Sequence, residues 1–193
     1  MPRIWSETIA AHRDAVRDAT LDAAAALVDS RGLTGLTMSE IARESGIGRA
    51  TLYKYFPDIE SILAAWHERQ IREHLRRLAA VSEATAPAGR LEAVLREYAA
   101  QSGQRRRHSG DLAAMLHRGE HVTRAHAHLD EFISALISEA AARGEARDDL
   151  PAAELAAYCL HALTASAAMP SEAAVDRLVG VILAGLRPGD VRQ

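Results

Sequence analysis

The stretch "TMSEIARESGIGRATLYKYF", residues 37–56, decides how this chain is read. With two Phe, two Trp and four Tyr in 193 residues, aromatics are scarce, yet three of them fall here beside Lys54, the only lysine. Thr37 followed three positions later by Glu40 is a capping box, in which each side chain takes a backbone N–H left open at a helix start. The helix so begun ends at Gly46, where a residue without Cβ accepts positive φ most easily. A second short helix, Gly48 to Tyr55, runs up to Pro57. Two short helices about such a turn have the proportions of a helix-turn-helix. Ile41, Ile47 and Leu52 take its core positions, and Ala42 is small where the second helix passes close. Ser45 stands where an apolar residue would serve better. Because Leu52 and Phe56 face inward, Arg49, Ala50, Thr51, Tyr53, Lys54 and Tyr55 cannot all do so. Hydroxyls and cations suit phosphate oxygens, while Arg49, Ala50 and Thr51, near the helix start, can reach base edges.

Outward from this stretch, helical period dominates and no alternating strand pattern competes. A first helix is expected from about Glu7 to Arg31, with Val16, Thr20, Ala23, Ala24 and Leu27 inward and Gly32 at its end. Asp58 caps a long fourth helix to about Ala80. Further helices are expected at Ala88–Gln101, Asp111–His117, Val122–Arg143, Ala152–Met169 and Ser171–Leu186, separated by Gly144, Pro151 and Pro170. "GQRRRHSG", 103–110, reads as an exposed basic loop. The expectation is an all-α chain: a three-helix helix-turn-helix head (1–57) and a larger helical body (58–193).

A net charge of −3 means that any nucleic-acid surface must be local. One cysteine excludes an internal disulfide and suits a reducing compartment. The N-terminus mixes charges too freely for a signal peptide, and no apolar run reaches the ~18 residues of a membrane span. These features lead to the expectation of a soluble cytoplasmic protein.

"LDAAAALVDSRGLTGLTMSEIARESGIGRATLYKYFPDIESIL", residues 21–63, resembles the DNA-binding region of the TetR/AcrR family of bacterial repressors. The resemblance implies an all-α homodimer whose head binds a palindromic operator and whose body binds a small-molecule effector. By motif position it assigns DNA contacts to Thr37, Thr51, Tyr53, Lys54 and Tyr55, with Thr37 and Tyr53 mainly on phosphate. Two departures stand out: Ile59 where many members carry Lys, and Gly48 where many carry Ser or Thr.

In the body, Ala152–Met169 is apolar almost all round, which a helix touching only its own core would not be. Burial on two sides is one account, and a deeply buried hairpin in a monomer is the other. On the first, Leu155, Cys159, Leu163, Val175, Leu178, Val179, Ile182 and Leu186 are the dimer-interface candidates, and in the family resembled the two last helices pair with a second copy. Effector-pocket candidates are Tyr98, Met115, His117, Phe132, Tyr158 and His161, each also readable as plain core; Trp66 is counted among the body's aromatics. Little charge falls inward, so the expected ligand is mainly apolar. His117 with His121, and His126 with His128, invite a metal reading, but Gly119 interrupts the first pair and the second points to different faces. No metal or cofactor is expected. An enzyme is the rival class, yet no nucleophile elbow, phosphate loop or zinc signature occurs, and Cys159 lies in an apolar run where thiols are inert. A constitutive DNA-binding dimer whose body recruits a protein partner remains as the alternative.

Overall fold

The structure, a computed structural model, describes residues 3–33, 36–105 and 120–188. Among these residues it is helical, without strands: α1 (Arg3–Arg31), α2 (Met38–Ser45), α3 (Arg49–Tyr55), α4 (Ile59–Ala84), α5 (Pro87–Arg105), α6 (Glu120–Ala142), α7 (Ala152–Leu163), a 3₁₀ turn (Thr164–Ala168) and α8 (Glu172–Leu186). No helix among the described residues is long and apolar enough to cross a membrane. The expected helix at Asp111–His117 lies outside the described residues.

The described residues divide into two compact units, one running to Gln70 and the other from Ile71 onward. The first is the three-helix head plus the opening turns of α4. Its core joins Leu21, Ala24, Leu27 and Val28 of α1 to Ile41, Leu52 and Phe56, and closes with Ile62, Leu63, Ala65 and Trp66. The unit therefore extends past the boundary expected at Pro57. Trp66, counted with the body from sequence, belongs to the head core instead.

The second unit is built on Leu91, Val94 and Leu95 of α5, Ile133, Leu136 and Ile137 of α6, and the inner faces of α7 and α8. Leu78, late in α4, joins them, so α4 supplies side chains to both cores. Several boundaries shift from expectation. α1 begins four residues earlier, at Arg3, and α5 runs on through Arg105, making the first part of the supposed basic loop helical. The last two expected helices also change: the run to Met169 leaves α geometry after Leu163, where the Thr164 hydroxyl donates to His161 O (2.6 Å). Ser171 caps α8, its hydroxyl accepting from Ala174 N at 3.3 Å. At the other end of α8, Arg147 N donates to Leu186 O (2.8 Å) and its guanidinium to Gly185 O (3.3 Å). The same guanidinium grips Asp149 at 2.7 and 2.6 Å, and that hydrogen bonding holds the Asp149 carboxyl below its usual range.

Candidate nucleic-acid interface

Two local devices fix the geometry of α2 and α3. At the start of α2, Thr37 Oγ1 accepts from Glu40 N (3.2 Å), while Glu40 Oε2 accepts from Thr37 N (3.1 Å) and Thr37 Oγ1 (3.0 Å). Arg31, ending α1, donates to the other carboxylate oxygen at 3.0 Å and so ties the first helix to the second. At the turn, Gly46 has φ of 69°, the left-handed conformation expected there. Ser45, which looked out of place in sequence, bonds across this turn: its hydroxyl donates to Ala42 O (3.4 Å) and accepts from Ile47 N (3.3 Å). Its polarity is what lets it splice α2 to the segment after it.

α3 is anchored by Leu52, its one buried residue, and by Phe56 just beyond, whose N–H closes the helix on Leu52 O (3.0 Å). Gly48 is its N-cap and makes no side-chain capping bond, as the missing hydroxyl dictates. Seven residues need this anchoring, since so short a helix is unstable alone. With Leu52 inward, Arg49, Ala50, Tyr53 and Lys54 are exposed, and Tyr53 keeps 47% of its surface open. Thr51 is half-buried, and Tyr55 packs its ring against the head core. Thr37 is exposed beside α2. Neither Arg49 nor Lys54 has a carboxylate within ion-pair distance among the described residues. The result is a short helix, joined to α2 through the Ser45–Gly46 turn, that shows solvent a tyrosine and two cations with no ion-pair partner among the described residues.

Residues 21–66 match the model for "bacterial regulatory proteins, tetR family", and residues 86–188 match that for the C-terminal domain of SbtR-like transcriptional regulators. The chain belongs to the TetR family. Relatives and matched families alike are transcriptional regulators, not enzymes. An uncharacterised HTH-type regulator of Mycobacterium tuberculosis is 37% identical over 75 residues, 38% of this chain and 37% of that protein. The chain thus spans under two-fifths of that curated relative in the match. Over nearly the whole chain, the TetR regulator SCO0520 of Streptomyces coelicolor is similar at 27% identity, with TM-score 0.62 and coverage of 90% and 99%. The FadR regulator of Bacillus subtilis, crystallised with stearoyl-CoA, shares the fold at 14% identity and TM-score 0.68, covering 88% and 98%.

In the second unit of this TetR-family chain, burial sorts the expected interface and pocket residues into inner and outer positions. Leu155, Cys159, Leu163, Val179, Ile182 and Leu186 are buried within their own unit, and Val175 and Leu178 pack partly buried against the same core. They form the inner stripe of the α7–α8 hairpin, with Leu155, Cys159, Leu163, Val179, Ile182 and Leu186 turned into the unit's own core and Val175 and Leu178 at its edge. The outer stripe consists of other residues: Tyr158 at 46% exposure, Val181 at 66%, and the small Ala173, Gly180 and Ala184. Tyr158 lies over Gly185, where a Cβ would stand 3.5 Å from its hydroxyl. Tyr158 and His161 are therefore solvent-facing in this unit. His161 is exposed, with Nδ1 2.8 Å from Ala157 O. Of the other pocket candidates, Tyr98 and Phe132 pack half-buried on the body core, and Tyr98 meets the buried His74 ring at 5.5 Å between centroids. Met115 and His117 lie outside the described residues. His126 and His128 are exposed on α6. Burial raises the Cys159 thiol to about 11, well above the thiolate range needed for chemistry at neutral pH.

Proposed function

We propose that this chain is a cytoplasmic one-component repressor: a homodimer that binds a palindromic operator and releases it when a small, mainly apolar effector enters the body. The observation that carries the reading is α3, whose outward surface presents Arg49, Thr51, Tyr53 and Lys54 with unneutralised charge while Leu52 anchors it from behind. On this reading Arg49, Ala50 and Thr51 read base edges, and Thr37, Tyr53, Lys54 and Tyr55 grip phosphates. The Thr37 hydroxyl already donates to Glu40, so it meets phosphate by giving up that bond.

Dimerisation is needed because one short helix reads only a half-site, and two heads must meet grooves about 34–36 Å apart. The outer stripe of α7–α8 suits a second copy of itself. Val181 and Tyr158 supply apolar area, and Ala173, Gly180 and Ala184 let helices approach closely. For the effector, Tyr98 and Phe132 pack on a core of aliphatic side chains, with the His74 ring beside Tyr98, which favours a mainly apolar ligand. FadR, holding an acyl-CoA on the same fold, lends support by analogy of architecture only. α4 contributes to both cores and is the natural lever between effector and operator. A coupling of ~1–3 kcal/mol would lower operator affinity about 5–150-fold.

The test is selection of operators from a random duplex pool, followed by an apolar-ligand screen with the selected duplex present. The expected outcome is a palindrome, and a ligand that both raises the melting temperature and weakens DNA binding. Phe132→Trp should blunt the ligand response and leave DNA affinity intact. A selected site without dyad symmetry would overturn the homodimeric reading. A screen in which ligands melt onto the protein but leave DNA affinity unchanged would overturn the effector role.

A further inference from the structure

The inner stripe of α1 runs Val28, Ala24 and Leu21 at spacings of four and three, with Thr20 beside Leu21, all buried. Continued toward the N-terminus, the same spacing meets Arg17 and then Arg13, both exposed. The stripe thus changes from apolar to cationic as α1 leaves the head core. It does so beside α3: the Arg17 guanidinium carbon lies 5.5 Å from the centroid of Phe56, the residue that closes α3. The acidic neighbours do not neutralise it. Asp18 and Asp22 both turn to Arg69 of α4, at 3.5 and 2.6 Å, and no carboxylate among the described residues is within ion-pair distance of Arg17.

A guanidinium stacked on an aromatic ring is oriented by its face. Its N–H groups all lie in the plane and stay available at the edge, in the fork that matches a phosphate. We propose that Arg17, held on Phe56, is a phosphate-gripping residue of the DNA interface, which makes α1 a third element of that interface alongside α2 and α3. The inference rests on the reading of α3 as the recognition helix. When such a helix lies in the major groove, its ends approach the flanking backbones, and Arg17 stands at the C-terminal end. Arg17 carries no base information there; it adds affinity and fixes register.

A merely structural Arg17 would close off Phe56 and oppose the negative end of α3, and its loss would lower stability without touching salt dependence. The experiment measures affinity for the selected operator duplex across a salt series. It compares the unmodified protein with Arg17→Gln, Arg17→Met and Lys54→Ala, with helical content followed by circular dichroism. Arg17→Met keeps apolar cover over Phe56 and removes only the charge, so it decides the matter should Arg17→Gln lose its fold. The expected result is a slope of log affinity against log salt flatter by about 0.9 per protomer for each variant, with affinity for unrelated duplexes falling in parallel. Arg17→Lys should retain the slope but lose part of the affinity, because an ammonium lacks the fork. Should Lys54→Ala flatten the slope while Arg17→Met leaves it unchanged, the role of Arg17 is overturned and the reading of α3 stands. If neither variant moves the slope, both fall.

Discussion

Two solvent-facing stripes, the outer side of α3 and the outer side of α8, are both short of partners within the chain, and their chemistry is opposite. α3 presents Arg49, Tyr53 and Lys54; α8 presents Ala173, Gly180, Val181 and Ala184 with Arg177 as the single charge among them. A surface of fixed cations suits a polyanion, which screens those charges and releases its own counterions. A surface of small apolar side chains gains nothing from a polyanion and suits a matching apolar face. On the proposed reading, the contrast matches each stripe to a class of partner. It also shows that a stripe's function is decided by which side of the helix is already occupied, since α8 carries as many large apolar residues inward as a naive reading would turn outward.

The strongest break in this comparison is a pair of neighbouring substitutions on α8. Ile182 is 1% exposed and Val181 66% exposed. Ile182→Asp removes core contacts and leaves an unpaired buried charge, costing about 4 kcal/mol or more, so the body should lose its cooperative melt. Val181→Asp should cost the isolated fold no more than about 0.5 kcal/mol. In a two-fold interface it would set two carboxylates against each other, giving a folded monomer by sedimentation with operator affinity down roughly 10²–10⁴-fold. A Val181→Asp protein that sediments as a dimer would move the interface off this stripe.

On the head stripe, Tyr53→Ala with Lys54→Ala should weaken operator binding by about tenfold or more in gel-shift titration, with melting unchanged. Arg49 or Thr51 substitutions should change sequence preference as well, which a repeat of the duplex selection would reveal. Unaltered affinity in the double variant would return α3 to an ordinary surface helix.

These residues were legible in sequence because their signals are local. Thr37 and Glu40, Gly46, Leu52 and Pro57 each act within one turn, and the structure keeps all of them where spacing put them. The inward and outward sides of α7 and α8 were not legible. A helix with alanine, glycine and leucine on every side has no polar face to set its phase, so Leu155, Cys159 and Ile182 could be drawn facing either way. Only packing against α5 and α6 settles it. Trp66 was misassigned for a related reason: α4 shows no break between its head and body turns, so nothing along the helix marks where one core hands over to the other. Ser45 was legible as an anomaly but not as a turn bond, because the hydroxyl's partners depend on the left-handed Gly46.

The smallest expected effect sharpens the head side of the comparison. Thr37→Ala removes the capping box and should destabilise the head by about 1 kcal/mol, read by urea unfolding at Trp66 in a Trp5→Phe background. Thr37→Ser should restore it. Glu40→Ala removes the Arg31 tie and the carboxylate half of the box, while the Glu40 N–H stays on Thr37 Oγ1, and should cost an amount of the same order.

Cys159, the only sulfhydryl of the chain, sits fully enclosed in the core that α7 and α8 share with α5 and α6. With no exposed surface among the described residues, it is reached only when that core opens. The rate at which an alkylating reagent consumes the thiol therefore counts openings of the body directly, without any engineered label. Where reclosing outruns the reagent, that rate reports the free energy of opening, and a bound ligand or second copy that braces the hairpin will slow it in proportion.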